Sequence, residues 1–425
     1  MNNQAPESKP VNGFSSDLRR EWRQTRQALA DGWATAGADL RNALRRARHA
    51  RVDYVVLPIG GSLPERSGPP RGFIERRLPL PPDPFSLQQL NERLRRVADA
   101  ENTRGVVFIF RGFAAGLATL QNFRAAVARL RAAGKEAIAY TPHLDLSHYY
   151  AATAADRIIV PPGAHFEALG LYTEITFLGD ALARVGVQAD VVQISPYKTA
   201  MDRFSRSDLS PEAREQLNWL LDDQFDMLVS DIAAGRGLEP DDLRRLIDRA
   251  PFTAEEARAA GLIDAVAYDD ELATLLCGKP AAANVDPVTT AEPASAAPSI
   301  AGRVTLKTWR EARGLLLERP RRRTRRFVGV VSLEGLIATG PSRRPPIDLP
   351  IPLIGGATAG EQTLVGLLRR VEKLDDMAAL VFHVDSGGGS ALASELIGRQ
   401  IELLSARKPV VVYMGNMAAS GGYYV

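Results

Sequence analysis

Short apolar runs alternate with longer stretches of helical periodicity in two parts of this chain. The first part contains "GVVFIF" and "EAIAY", and the second contains "AALVFHV" and "PVVVY". Apolar runs of four to eight residues are typical of buried strands, and the stretches between them are long enough for helices. Each part therefore predicts the order strand, helix, strand, helix, strand, helix, which gives an α/β unit with right-handed crossovers and a buried sheet.

The two parts resemble each other beyond this alternation. Upstream of the runs, "DYVVLPIGG" resembles "VGVVSLEGL". Three pairs of residues then recur at identical spacing: Lys135 and Lys408, Tyr140 and Tyr413, and Ser147 and Ser420. The chain is therefore predicted to contain an internal repeat, with a first copy at 53–277 and a second copy at 327–425.

Two further segments flank the first copy. Residues 278–326 begin with an Ala- and Pro-rich stretch without aromatic residues and end in the arginine run "RPRRRTRR". This composition is typical of a linker followed by a solvated or membrane-facing basic segment. Residues 1–52 are predicted to form a basic amphipathic helical extension.

Within the extension, residues 17–51 repeat at intervals of 11 residues. The large apolar positions fall in two rows: Leu18, Leu29 and Leu40, and Trp22, Trp33 and Leu44. Because eleven residues span three helical turns, both rows share one long face, and nine arginines against four acidic residues make the segment basic. Such a helix can lie in an anionic membrane surface, or its apolar face can pack on the protein body or on a neighbouring subunit.

Composition narrows the classes of function. The 425-residue chain is 45% hydrophobic and 24% charged, as expected for two or three globular domains. Cys277 is the single cysteine and the five histidines lack metal-ligand spacing, so we expect no disulfide, no metal and no cofactor. The net charge is only +3 and basic residues concentrate in two segments, which argues against nucleic-acid binding.

No run approaches the roughly 20 apolar residues of a membrane span, and the N-terminus lacks the apolar core of a signal peptide. We therefore expect a protein that is cytoplasmic or peripheral to the cell membrane.

Ser420 lies in "MAASGGYY", directly after the apolar run "PVVVY". The pattern predicts a buried strand, a tight turn and the start of a helix, where negative charge is favoured. A serine there can act as an acyl-transfer nucleophile or as an ordinary N-cap. The second copy also has glycines here and in "SGGGS", where backbone N–H groups must approach a substrate, whereas the first copy has "FAAGL" and "LSHYY". Ser147, the serine of "LSHYY" in the first copy, is therefore expected to have a structural role and not to act as a nucleophile.

A serine nucleophile needs a general base within hydrogen-bond reach. His383 is one candidate, because it lies on the predicted strand before "DSGGGS". Lys198 is the better candidate. It follows the apolar run "ADVVQI", which predicts a strand, and a lysine held in an apolar pocket can present a neutral amine.

Four motifs, "YKTAMDRFSRSDLSPEAREQLNWL", "TAEEARAAGLIDAV", "VDSGGGSALASE" and "MAASGGYY", occur in this order. From about Tyr54 to its end, the chain resembles the long form of the signal peptide peptidase A family, also called protease IV. The resemblance implies two tandem repeats of the crotonase/Clp-protease α/β spiral and a serine–lysine dyad, with Ser420 as nucleophile and Lys198 as general base. It also implies an oxyanion hole of backbone N–H groups from the glycine turn and the nucleophile turn: Gly388, Gly389 and Gly421.

The resemblance carries further expectations. It implies a homotetramer that cleaves hydrophobic peptides, including signal-peptide remnants in the membrane. Here the family's Ser-Pro-Gly-Gly motif reads Ser386-Gly387-Gly388-Gly389, which loosens the turn. Only five residues follow Ser420. The second repeat is therefore predicted to be truncated at its C-terminus, to leave apolar sheet surface exposed and to be poorly active.

Two other classes of function stay open at this point. The same spiral fold serves acyl-CoA hydratases and isomerases, which combine a glycine oxyanion hole with carboxylate acid–base groups and have no use for Ser420 and Lys198. A non-catalytic membrane-associated scaffold would need only the basic helix and the α/β body.

Overall fold

A computed structural model of the protein describes the residue ranges 32–48, 51–68, 77, 84–167, 170–277, 303–319, 324, 326–343 and 357–425. Within these ranges the chain clusters into two compact units. We define the central unit and the terminal unit by their residues: Arg51–Ala115 with Leu120–Leu316, and the N-terminal helix with Gly116–Thr119 and Leu317–Val425.

Helices and strands alternate along most of the described chain. In chain order they are α1 (32–47), β1 (Tyr54–Ser62), α2 (Leu87–Asp99), β2 (Gly105–Ala114), α3 (Leu117–Ala132), β3 (Glu136–Tyr140), α4 (Leu146–Ala152), β4 (Arg157–Val160), β5 (His165–Phe166), α5 (Gly179–Arg184), α6 (Asp202–Ser205), α7 (Pro211–Arg236), α8 (Pro240–Arg249), β6 (Phe252–Thr253), α9 (Ala254–Ala259), β7 (Ala265–Val266), α10 (Leu272–Leu275), β8 (Leu306–Thr308), α11 (Trp309–Ala312), β9 (Phe327–Glu334), β10 (Leu336–Ala338), β11 (Thr358–Gly360), α12 (Glu361–Glu372), β12 (Met377–Ser386), α13 (Ala391–Ser405), β13 (Val410–Ala418) and α14 (Gly421–Tyr424). A 3₁₀ turn at Thr199–Met201 precedes α6.

Six parallel strands form the main sheet of the central unit, in the order β7-β4-β3-β2-β1-β8. Along the chain, β1, α2, β2, α3, β3 and α4 follow the alternation predicted for the first part, so the α/β class is confirmed. The buried rings of Phe108 and Phe110 meet Phe123 of α3 edge to face, with centroids 5.4 and 5.8 Å apart. These contacts fix α3 against the sheet.

Residues 303–316 belong to the central unit, although the sequence suggests a linker and a basic segment over 278–326. Leu306–Thr308 form β8, which pairs with β1 at the edge of the sheet. The carboxylate of Asp53 accepts the N–H of Thr305 at 2.8 Å, and this polar contact helps to fix the strand. A strand of three residues with one large apolar side chain produces no periodic signal, which explains why the sequence does not predict it.

The terminal unit contains a parallel three-stranded sheet, in the order β13-β12-β9, and the parallel pair β10-β11. The sequence β9, α12, β12, α13, β13 and α14 agrees with the alternation predicted for the second part. On one sheet face, Leu333, Phe382 and Val384 pack into a core with apolar residues of α12 and α13. On the other face, Val328, Val330 and Val411 are exposed, so part of this sheet surface is both apolar and open to solvent.

Helix α1 attaches to Glu318 through a mainly polar face. The side-chain amide of Asn42 exchanges two hydrogen bonds with the Glu318 backbone, at 2.8 and 2.9 Å, and both Arg41 and Arg45 donate to the Glu318 carboxylate. Ala38 and Asn42 are buried. The described members of the apolar rows, Trp33, Leu40 and Leu44, are exposed and do not form this contact. Of the predicted 17–51 segment, residues 17–31, 49 and 50 lie outside the described residues.

The docking of α1 gives a pH-dependent prediction. Burial raises the pKa of the Glu318 carboxyl, but hydrogen bonds and ion pairs with Arg41 and Arg45 outweigh burial and leave that pKa below its ordinary value of 4.5. A carboxyl group whose pKa is lowered on docking stabilises the docked helix above pH 4.5 and loses this contribution as the pH falls through the lowered pKa. We expect hydrogen exchange in residues 32–48 to accelerate over that acid range relative to the rest of the unit.

Asn42→Ala tests the same contact at neutral pH. Alanine has the higher helix propensity, so faster amide exchange in α1 would report lost docking and not a weaker helix. We expect exchange to be roughly 5 to 30 times faster, as for a loss of about 1–2 kcal/mol. Asp39→Ala, at an exposed position of the same helix, is the control, and equal exchange rates in the two variants would contradict the docking.

Candidate active site

Ser420 has an unusual backbone conformation. It connects β13 to α14 with φ 50° and ψ −122°, and it is the only non-glycine residue with positive φ among the residues described. Such a conformation costs about 1–3 kcal/mol and persists only where the surroundings enforce it. Although Ser420 occupies the N-cap position of α14, its side chain makes no capping hydrogen bond. The hydroxyl is on an exposed residue at a strained strand-to-helix turn, and the N-cap interpretation does not account for it.

Backbone hydrogen bonds hold this turn in place. The N–H of Ala419 donates to the carbonyl of Ser386 at 3.0 Å, and the N–H groups of Tyr423 and Tyr424 donate to the carbonyl of Ser420. One carboxylate oxygen of Asp385 accepts the N–H of Met417 at 3.1 Å, where β13 loses its register with β12. The strand end and the short helix therefore both constrain Ser420.

Gly388 lies directly against the serine turn. A Cβ atom at this position would be 2.8 Å from Ser420 Cβ and 2.6 Å from the nitrogen of Gly421, which is closer than any side chain tolerates. Its φ of 95° is also in the region that favours glycine. The carbonyl of Gly388 accepts the N–H of Ile337 at 2.9 Å, so β10 fixes the glycine turn from the other side.

The backbone N–H groups near Ser420 differ in their hydrogen bonding within the protein. The N–H of Gly388 donates to Ser386 Oγ at 3.1 Å and is therefore engaged within the protein. Among the described residues, the N–H groups of Gly389 and Gly421 have no hydrogen-bond acceptor. A Cβ atom added to Gly421 would lie 3.4 Å from the nitrogen of Gly389. The backbones that carry these two N–H donors are therefore close neighbours.

Ser386 is a residue whose contribution the sequence does not reveal. Its hydroxyl donates to the carbonyl of Gly335 at 2.5 Å and accepts the N–H of Gly388, and the side chain is buried. Together with its carbonyl bond to Ala419, these contacts join the glycine turn to the serine turn. A serine that begins "SGGG" directly after a buried strand is the only signal the sequence offers.

His383, the alternative base, is buried in the terminal sheet. Its Nδ1 lies 3.2 Å from Ser332 Oγ and 3.6 Å from a carboxylate oxygen of Glu334, and its ring stacks on Tyr413. Its Nε2 is buried and has no hydrogen-bond partner in the described part of the chain, Ser420 included. These contacts give His383 a role in the sheet and no hydrogen bond to the serine.

Lys198 lies in the central unit and is exposed. The strand predicted from "ADVVQI" is wrong: residues 189–194 are irregular, with Val192 91% and Ile194 87% exposed. A strand needs a neighbour for its N–H and C=O groups, and none of the described strands pairs with this segment. The Lys198 backbone instead closes a turn, donating its N–H to the carbonyl of Ser195 at 3.0 Å. In the described structure, therefore, no apolar pocket encloses the lysine.

The sequence of residues 129–279, which includes Lys198, matches the family model described as Peptidase family S49. This stretch of the chain is therefore similar to peptidase family S49. Serine protease SPPA, chloroplastic, of Arabidopsis thaliana is 29% identical over 341 residues, which cover 80% of this chain and 47% of that protein. Protease 4 of Haemophilus influenzae is 27% identical over 338 residues, covering 78% of this chain and 51% of that protein.

The chain spans about half the length of these curated relatives. Among solved structures, a mutant of the 1510-N membrane-bound stomatin-specific protease covers 52% of this chain and 84% of its own, at 16% identity and a TM-score of 0.31. A likeness at that TM-score is too weak to establish a shared fold. The similarity to serine peptidases therefore rests on the match of residues 129–279 to the family model and on the named relatives.

Proposed function

We propose that this S49-domain protein is a serine endopeptidase in which Ser420 is the nucleophile and Lys198 the general base. The observation that carries the proposal is the Ser420 turn, where a strained and exposed serine stands beside two open backbone N–H groups. Strained serines at strand-to-helix turns present their hydroxyl to a substrate above the sheet. The match of the Lys198 segment to Peptidase family S49 supports the second half of the dyad.

The proposed chemistry is acyl transfer to serine. When it is unprotonated, the amine of Lys198 takes the proton of the Ser420 hydroxyl as the oxygen attacks a peptide carbonyl carbon. The N–H groups of Gly389 and Gly421 donate to the oxyanion of the tetrahedral intermediate. The Lys198 ammonium then gives its proton to the departing amine, which leaves an acyl-enzyme ester. Water, deprotonated by the same amine, hydrolyses this ester and regenerates Ser420.

We also propose that the two α/β parts are tandem repeats of one spiral fold. The recurring lysines support this equivalence, because Lys135 donates to the carbonyls of Ala100 and Thr103. Lys408 makes the same pair of contacts, with the carbonyls of Val371 and Leu374. In both copies a lysine just before a strand (β3 or β13) therefore binds carbonyl groups at or just after the C-terminal end of a helix (α2 or α12). The first copy would supply the base and the second copy the nucleophile.

Hydrophobic peptides, including signal-peptide remnants, are the substrates that we propose from the family resemblance, and a homotetramer is the assembly. Large apolar side chains exposed on the central unit support self-association, since surfaces of this kind mark interfaces. Four of them are more than three-quarters exposed: Tyr172, Val192, Ile194 and Trp219.

Covalent labelling tests the dyad directly. We expect a fluorophosphonate probe to modify the intact chain at Ser420, as located by peptide mass spectrometry, and to leave Ser147 unmodified. Lys198→Ala is expected to slow the labelling rate about 100-fold, within the range for loss of a general base. Lys373→Ala, which removes another exposed lysine, should label at the normal rate. Labelling elsewhere, or a normal rate in Lys198→Ala, would refute the assignment.

A further inference from the structure

Helix α1 has two separate faces, and only one is used inside the protein. The face that meets Glu318 contains Ala38 and Asn42, which are 3% and 7% exposed. At 3.6 residues per turn, Asn42 points roughly 180° away from Trp33. On Trp33's side of the helix, Trp33 is 80%, Leu40 66% and Leu44 52% exposed. We call these three residues the apolar stripe of α1.

The apolar stripe is not needed to hold α1 in place. The amide pair between Asn42 and the Glu318 backbone and the two arginine contacts already fix the helix. A tryptophan and two leucines that stay in water on a docked helix forgo about 1.5–3 kcal/mol each of burial free energy. The internal docking and the stripe therefore have different uses.

The spacing of the stripe favours a flat surface. Its residues follow one another by seven and four positions, and the sequence continues the same rows upstream at Leu18, Trp22 and Leu29. An 11-residue period of 3.67 residues per turn keeps a stripe almost parallel to the helix axis, unlike the 3.5-residue period of a left-handed coiled coil. A planar partner can therefore contact all three residues of the stripe at once.

The charge of residues 17–51 favours an anionic partner. Residues 17–51 carry nine arginines and four acidic residues, and Arg46 and Arg48 are exposed on α1. Two copies of so basic a segment would repel each other, whereas acidic lipid headgroups would attract it. Tryptophan is, in addition, enriched at the boundary between headgroups and acyl chains.

We propose that α1 is an interfacial membrane anchor that inserts its apolar stripe into an anionic lipid surface while Asn42 and Glu318 couple it to the rest of the terminal unit. The helix lies in the plane of the surface and does not cross it. In the described part of the chain, no helix is long and apolar enough to span a bilayer. This binding is independent of the proposed peptidase activity, because no group of the Ser420 site takes part.

Vesicle flotation of the full chain tests the anchor. The probes are vesicles of phosphatidylcholine alone and of phosphatidylcholine with 30 mol% phosphatidylglycerol, at low and at 0.5 M salt. We expect binding to the anionic vesicles, at least tenfold weaker binding to the neutral ones, and weakening by salt. The double variant Leu40→Asp/Leu44→Asp should lose at least tenfold in partitioning.

Leu374→Asp/Leu403→Asp is the matched control, since it makes the same change at exposed positions of the same unit, and it should bind within twofold of the unaltered chain. Ser420→Ala should bind normally, which separates this proposal from the peptidase assignment. No binding of the unaltered chain to the anionic vesicles would overturn the anchor. Equal binding of the stripe variant and the unaltered chain would also overturn the anchor. If that variant in addition broke up a lipid-free oligomer in sedimentation velocity, the partner of the stripe would be a second copy of the chain.

Discussion

Ser420→Ala is expected to lower kcat/KM for hydrolysis of an apolar fluorogenic peptide by at least about 10³. The change removes the only nucleophile of the proposed mechanism, and what remains is binding and oxyanion stabilisation alone. The backbone at this position is strained with φ 50°, so the alanine variant keeps the strain and loses only the hydroxyl. Its fold should therefore be unchanged by circular dichroism.

Ser147→Ala is the control for this prediction. Ser147 recurs with Ser420 in the sequence but lies within the regular helix α4, which Asp145 caps through the N–H of His148. We expect its activity to be within twofold of the unaltered protein. If Ser420→Ala stayed active, or if both variants lost activity equally, Ser420 would not be the nucleophile.

Gly388→Ala is expected to lower kcat/KM by about 10²–10³ even though it adds only one methyl group. That methyl group would overlap the Cβ of Ser420 and the nitrogen of Gly421, so either the serine turn or the glycine turn must move. Misplacing one oxyanion donor is enough for a loss of this size. The left-handed backbone at Gly388 adds roughly 1–2 kcal/mol of strain, which should appear as a lower unfolding midpoint.

Gly387→Ala separates this effect from a general intolerance of the loop. Gly387 does not have positive φ, and a Cβ there meets only the sulfur of Met417, at the flexible end of its side chain, 3.1 Å away. We expect that variant to keep at least a third of the activity. Equal losses in the two glycine variants would show that the close contact at Gly388 is not what matters.

Long apolar runs make much of this fold predictable. Strands such as β2, β3, β12 and β13 can be predicted because their sequences carry continuous apolar runs, as strands within a parallel sheet require. Apolar runs do not predict the structure of "ADVVQI" correctly. Its composition indicates a propensity to form a strand, but it does not show whether a neighbouring strand is available to pair with it. Apolar runs also do not predict β8, which a contact between Asp53 and Thr305 helps to hold in place.

Parts of the candidate site depend on geometry that a sequence does not encode locally. Serine has no intrinsic preference for φ 50°, so the strain at Ser420 arises from Ser386, Gly388 and their neighbours acting together. The docked face of α1 is also not predicted, since periodicity singles out Trp33 and Leu40. The contact is made instead by polar side chains, Asn42 with two arginines, that bind Glu318 far away in the chain. Motif and spacing predicted the location of the serine turn but not its conformation.

The contact between α1 and Glu318 also has a consequence for synthesis. Arg41 and Glu318 are 277 residues apart, so the helix leaves the ribosome long before its docking site exists. At about 5–20 residues per second, the interval is roughly 15–55 s. During that time the helix lacks its Glu318 partner, and a nearby lipid surface can capture the nascent polypeptide before the terminal unit is complete. Targeting would then precede folding, and the finished unit would close onto a helix that is already in place.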